Sequence, residues 1–76
     1  MSNAIKLYPN PASDVIYIKS KESFPWKLYS IKGELVLFGY YNTALLNTSR
    51  IDLKILERGV YILQDDKSFV KKIIVD

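Results

Sequence analysis

Apolar positions along the chain come in short bursts of β-branched and aromatic residues, with turn formers between them. Asp14-Val15-Ile16-Tyr17-Ile18-Lys19 reads as one strand, reached through Pro9-Asn10-Pro11-Ala12-Ser13. Trp26-Lys27-Leu28-Tyr29-Ser30, introduced by Pro25, reads as a second. Lys32-Gly33 supplies a reversal, because glycine accepts positive φ without steric cost. Glu34-Leu35-Val36-Leu37-Phe38 then runs back and completes a hairpin. Gly39 ends that strand or bulges it, and residues 40–48 lack a clear period, as expected of a loop or irregular strand. Arg50-Ile51-Asp52-Leu53 alternates and looks extended, with one helical turn over 53–56. Gly59 precedes a strong strand, Val60-Tyr61-Ile62-Leu63-Gln64. Asp65-Asp66-Lys67 turns the chain, and residues 68–75 close it. No stretch sustains the i, i+3, i+4, i+7 pattern of an amphipathic helix. The pattern predicts an all-β chain of six to seven short strands, spaced as a small sandwich or barrel requires.

Seventy-six residues suffice for one domain only, and a chain this short builds a core with little margin. With 49% hydrophobic and 25% charged residues the composition is that of a folded domain rather than a disordered one. Cysteine and histidine are both absent. Disulfides and thiolate metal sites are therefore excluded, and so are the usual neutral-pH general base and the commonest metal ligand. Eleven Lys/Arg against eight Asp/Glu leave a net charge of +3, spread along the chain with no run longer than Lys71-Lys72. No apolar stretch approaches the ~20 residues a membrane-spanning helix needs. Met1-Ser2-Asn3-Ala4 is too short and polar for a secretory signal and reads as an expression scar, leaving residues 5–76 as the domain.

Candidate chemistry is sparse. Asp65 and Asp66 are adjacent and suit a turn; a metal site would need oxygens brought in from Asp52 or Asp14. The ten aromatics interleave with lysines and offer either core and rim packing or a stacking platform. Tyr40-Tyr41 is the pair expected to be exposed. Gly-rich phosphate loops, nucleophile elbows and metal-spaced clusters do not occur. A non-catalytic module with no cofactor is the expectation. A β module that grasps carbohydrate or single-stranded nucleic acid is the alternative.

In order along the chain stand Leu7-Tyr8-Pro9-Asn10-Pro11-Ala12-Ser13-Asp14, Tyr29-Ser30-Ile31-Lys32-Gly33-Glu34, Ile51-Asp52-Leu53 with Leu56-Glu57-Arg58-Gly59-Val60-Tyr61, and Lys71-Lys72-Ile73-Ile74-Val75. This succession resembles the C-terminal sorting domain of the type IX (Por) secretion system, from Tyr8 to the last residue. One departure is Ser30, where the family usually carries Asp or Asn before the hairpin turn. Pro9 and Pro11 fix φ and withhold N–H donors, and Asn10 between them can bond its neighbouring backbone. Gly33 fits the hairpin, and Gly59 a place where a Cβ would clash. Tyr61 is expected to bury its ring and offer its hydroxyl to a loop.

The resemblance implies a small immunoglobulin-like antiparallel β-sandwich, fused to an upstream parent protein. It also implies passage through the periplasm and then arrival at the cell surface or outside the cell. The implied partners are the outer-membrane secretion translocon and a sortase-like peptidase that removes the domain; nucleic acid is not among them. By the same resemblance, the surface read by the translocon is expected at Gly59 and along Lys71, Lys72, Ile73, Ile74 and Val75. Pairing of that last strand's edge with a partner strand is one mode of recognition, and the two lysines would equally serve to discourage edge aggregation.

Overall fold

A computed structural model describes residues 5–76; the reading of residues 1–4 as a scar lies outside them. Short runs rich in β-branched and aromatic residues form seven strands: β1 Lys6–Tyr8, β2 Val15–Lys19, β3 Phe24–Ser30, β4 Leu35–Tyr41, β5 Arg50–Asp52, β6 Gly59–Gln64 and β7 Val70–Val75. They form two sheets, β1-β2-β5 and β4-β3-β6-β7, in which every paired strand is antiparallel. The expected all-β sandwich is thus what the chain adopts. A four-residue 3₁₀ turn, Leu46–Ser49, leads into β5.

The core lies between the sheets and follows the strand period of two. Ile16 and Ile18 of β2 face Phe24, Trp26 and Leu28 of β3, Tyr61 and Leu63 of β6, and Ile73 and Val75 of β7. Ile51, Leu53, Tyr41 and Ala12 complete it. Complete burial of Leu28, Leu63 or Ile73 contributes about 1.5–3 kcal/mol each, the main favourable term available to so small a domain. Both buried tyrosines keep their hydroxyls bonded: Tyr41 donates to the Ser20 carbonyl at 3.1 Å, and Tyr61 to the Glu57 carbonyl at 2.6 Å.

The β3–β4 hairpin forms where Lys32-Gly33 predicts it. Gly33 has φ +89°, and its N–H donates to the Ser30 carbonyl at 2.9 Å. The Ser30 side chain also braces the turn: its Oγ accepts from the N–H groups of Lys32 (3.2 Å) and Glu34 (3.3 Å). Beyond the turn Leu28 pairs with Leu37 and Tyr29 with Leu35, so Val36 is an unpaired bulge residue.

Four expectations need correction. β4 does not stop at Gly39 but runs through it to Tyr41. Gly39 lies opposite Trp26, whose indole occupies the space a side chain would need. Tyr41 consequently points into the core, 8% exposed, while only Tyr40 faces outward at 53%. Gly59 is not required for space: an added Cβ would meet only Tyr61 Cε1, at 3.9 Å, and its φ of +157° is what favours glycine there. Finally, Asn10 bonds no neighbour in sequence; its partners lie more than sixty residues away.

Candidate functional site

β7 is the outer strand of its sheet, so one of its edges faces away from β6. Six residues, four of them β-branched, build the strand; what covers its free edge comes from the other end of the chain. After β1 the chain crosses from one sheet to the other and runs parallel to β7, with Ala12 bridged to Val75. Ala12 N–H donates to the Ile74 carbonyl at 2.8 Å, and Asp76 N–H donates to the Ala12 carbonyl at 2.8 Å.

One step earlier the Asn10 side chain stands in for a peptide unit. Its Nδ2 donates to the Lys72 carbonyl at 2.9 Å, and its Oδ1 accepts from Ile74 N–H at 3.0 Å. A primary amide carries donor and acceptor together, as a backbone peptide does, so Asn completes the ladder where Asp or Leu would not. The flanking Pro9 and Pro11, both after cis peptide bonds, bring no N–H that needs a partner. Four hydrogen bonds in series therefore occupy the outer edge of β7 from Lys72 to Asp76.

The residues expected to be read by a partner divide sharply within this strand. Ile73 and Val75 are buried at 0% and 4% exposure and present no side-chain surface. Lys71 shares their side of β7 but is exposed, beside a shallow cleft lined with Ile5, Lys6, Leu7, Tyr8 and Phe69. Lys72 and the half-buried Ile74 lie on the opposite, outer side, Lys72 across from Ile62 and Ile74 across from Val60. Gly59 pairs with Val75, so it sits roughly 13 Å along the strand from Lys71. The arrangement is a strip, with its two lysines on different faces.

The acidic candidates are occupied locally. Asp65 Oδ1 accepts from the N–H groups of Lys67 and Phe69, both at 2.9 Å, and so reverses the chain between β6 and β7. Asp52 Oδ1 accepts from Lys54 N–H at 2.9 Å. Among the described residues no three acidic side chains are grouped to hold a metal ion. Of the aromatics, Phe24, Trp26, Tyr41 and Tyr61 are core, while Tyr8, Phe38 and Tyr40 are exposed. Sequence reasoning missed Phe38, which is 72% exposed on the outer face of β4; the absence of any charge from 35 to 41 was the signal available.

The sequence model of a protein family described as "Secretion system C-terminal sorting domain" matches residues 6–76. No curated protein and no solved structure matches the chain. The family match gives no support to the carbohydrate- or nucleic-acid-binding alternative.

Proposed function

The chain belongs to the family of secretion-system C-terminal sorting domains, and on that premise we propose that the folded domain is itself the address, read along β7. As a sorting signal of type IX secretion, it marks a larger protein for the cell surface or the extracellular space. In the proposed sequence of events the parent crosses the periplasm, and the outer-membrane translocon engages the exposed side chains of Lys71 and Lys72 and the Gly59 end of β6. A sortase-like peptidase then removes the domain. Chemistry belongs to those partners, and this chain contributes shape and charge.

The family match over residues 6–76 carries this reading. The division within β7 supports it: Ile73 and Val75 are used by the core, so the charge that β7 presents to a partner comes from its two exposed lysines. The test is export of a fluorescent reporter that bears an inner-membrane signal peptide and residues 5–76 at its C-terminus, in a host with a working type IX pathway. Fluorescence should reach the surface or medium, and should fall at least tenfold in Lys71→Glu/Lys72→Glu. Both side chains are exposed, so the melting temperature should change by no more than about 4–8 °C, since surface substitutions rarely exceed ~0.5 kcal/mol each. Retention of the unsubstituted reporter inside the cell, with its domain folded, would sink the address; full export of the double variant would remove the lysines from the surface that is read.

A further inference from the structure

A sandwich of two open sheets has four outer edges, and three of them here are blunted. β1 is three residues long and carries Lys6; β5 is three residues long and carries Arg50 and Asp52. β7 carries two lysines and is covered from Lys72 to Asp76 by the Asn10–Ala12 segment. These are the ordinary means by which a sheet avoids pairing with other chains. β4 has none of them along most of its length. Its seven residues, Leu35-Val36-Leu37-Phe38-Gly39-Tyr40-Tyr41, include neither a charge nor a proline. Its one irregularity, the bulge at Val36, lies at the turn end and leaves Leu37 to Tyr41 in unbroken register with β3. Among the described residues β4 pairs with β3 alone, and no other hydrogen bond reaches its backbone from the outer side.

The side chains around this edge are apolar too. Leu35 (47%), Phe38 (72%) and Tyr40 (53%) are exposed on the strand, and Leu45 (52%) and Leu46 (87%) follow in the next loop. These five make up most of the large hydrophobic side chains exposed among the described residues, gathered within twelve positions of sequence. Apolar exposure concentrated on one edge strand and the turn that follows it is what an interaction surface offers.

We infer that the free edge of β4 pairs with β4 of a second copy of this chain, antiparallel about a two-fold axis. The strand is self-complementary. An uncharged strand that meets its own copy sets no like charges opposite each other. Two-fold antiparallel pairing keeps equivalent residues on one face, so Phe38 and Tyr40 of both copies become cross-strand neighbours on the outside of a continuous eight-stranded sheet. The nearest lysine on that face is Lys27, opposite Phe38 on β3. Across the seam Lys27 and its counterpart are three strand spacings apart, roughly 14 Å, beyond the ~8–10 Å screening length of physiological salt. The net charge of +3 on each copy therefore opposes pairing only weakly.

The test is the mass of the 76-residue chain by sedimentation equilibrium, from about 1 µM to 1 mM, with charge-swap variants at Phe38. A concentration-dependent dimer is expected. Phe38→Lys and Phe38→Glu, each of which would place like charges across the axis, should weaken it at least tenfold while leaving the far-UV circular dichroism unchanged. An equimolar mixture of the two variants should recover the dimer as a heterodimer. A monomer at every concentration, or a dimer untouched by Phe38→Lys, overturns the proposal. If the chain is monomeric throughout and Phe38→Lys instead abolishes export of the reporter, the edge is filled by a strand of the export machinery and not by a copy.

Discussion

Gly39→Ala should destabilise the domain although it adds a single methyl group to a residue in ordinary strand conformation. Gly39 lies opposite Trp26, and both face the core. A Cβ at position 39 would stand 2.6 Å from Cζ2 and 2.9 Å from Cε2 of the indole, against a normal carbon–carbon contact of ~3.5–4.0 Å. Those atoms belong to a rigid ring that is 8% exposed, and close-packed interiors leave such a ring little room to swing aside. Overpacking of this kind costs ~1–3 kcal/mol. Alanine's lower backbone entropy in the unfolded chain returns ~0.5–1 kcal/mol, so a net loss of about 1–2 kcal/mol remains. For a domain of this size the melting temperature falls by about 5–15 °C. Urea titration followed by the fluorescence of Trp26, the only tryptophan, reads both the stability and the displacement of the ring. A double-mutant cycle followed by far-UV circular dichroism, because Trp26→Phe removes the fluorophore, isolates the cause: in that background the contacting ring atoms are gone, and the alanine should be neutral or stabilising. A Gly39→Ala protein as stable as the parent would refute the reasoning, as would an equal penalty in both backgrounds.

Asn10→Ala removes both bonds that tie residue 10 to β7. Because the site is exposed, the expected loss is about 1–2 kcal/mol in urea unfolding, with faster amide exchange at Ile74 and unchanged exchange at Leu63. Asn10→Asp should be no better than alanine, since it keeps an acceptor for Ile74 N–H but turns a second oxygen toward the Lys72 carbonyl. Tyr61→Phe keeps the buried ring and deletes only the 2.6 Å bond to the Glu57 carbonyl, so thermal unfolding should register a loss of about 1 kcal/mol.

What the sequence revealed, and what it concealed, divides by the range of the interaction responsible. β2, β6 and β7 were legible because short runs of β-branched and aromatic residues bounded by turn formers, such as Val15-Ile16-Tyr17-Ile18 and Ile73-Ile74-Val75, are a property of the strand alone. The hairpin was legible because Gly33 states its own φ requirement. Gly39 was misread as a strand end because its reason is Trp26, a residue on another strand. The fate of Tyr40 and Tyr41 depends on strand parity through Gly39, which cannot be followed once the strand is taken to stop there. β1, three residues long, has too short a pattern to stand out. Of the candidate surface, the lysines could be located on a strand but not on its faces, and the cover over β7 by Asn10 spans more than sixty residues.

The residues that make the family resemblance visible are largely those that close the fold. Asn10 and Ala12 hold the last strand, Ser30 and Gly33 turn the hairpin, Tyr61 anchors the loop before β6, and Ile73 and Val75 fill the core. Removing β7 would strip two buried side chains and leave β6 without a partner on one side, so loss of export on truncation is expected from unfolding alone. Address and fold must therefore be separated by substitutions at exposed positions, which is why Lys71→Glu/Lys72→Glu is the informative variant. The same geometry bears on how β7 is read. A partner strand that adds to its outer edge between Lys72 and Asp76 must first displace the four hydrogen bonds of the Asn10–Ala12 segment, whereas side-chain recognition leaves them intact. Strand addition meets no such obstacle at β4. Recognition through lysines on β7 and pairing through the edge of β4 thus occupy opposite ends of one four-stranded sheet, and the charge-swap variants at Phe38 and at Lys71/Lys72 test them independently.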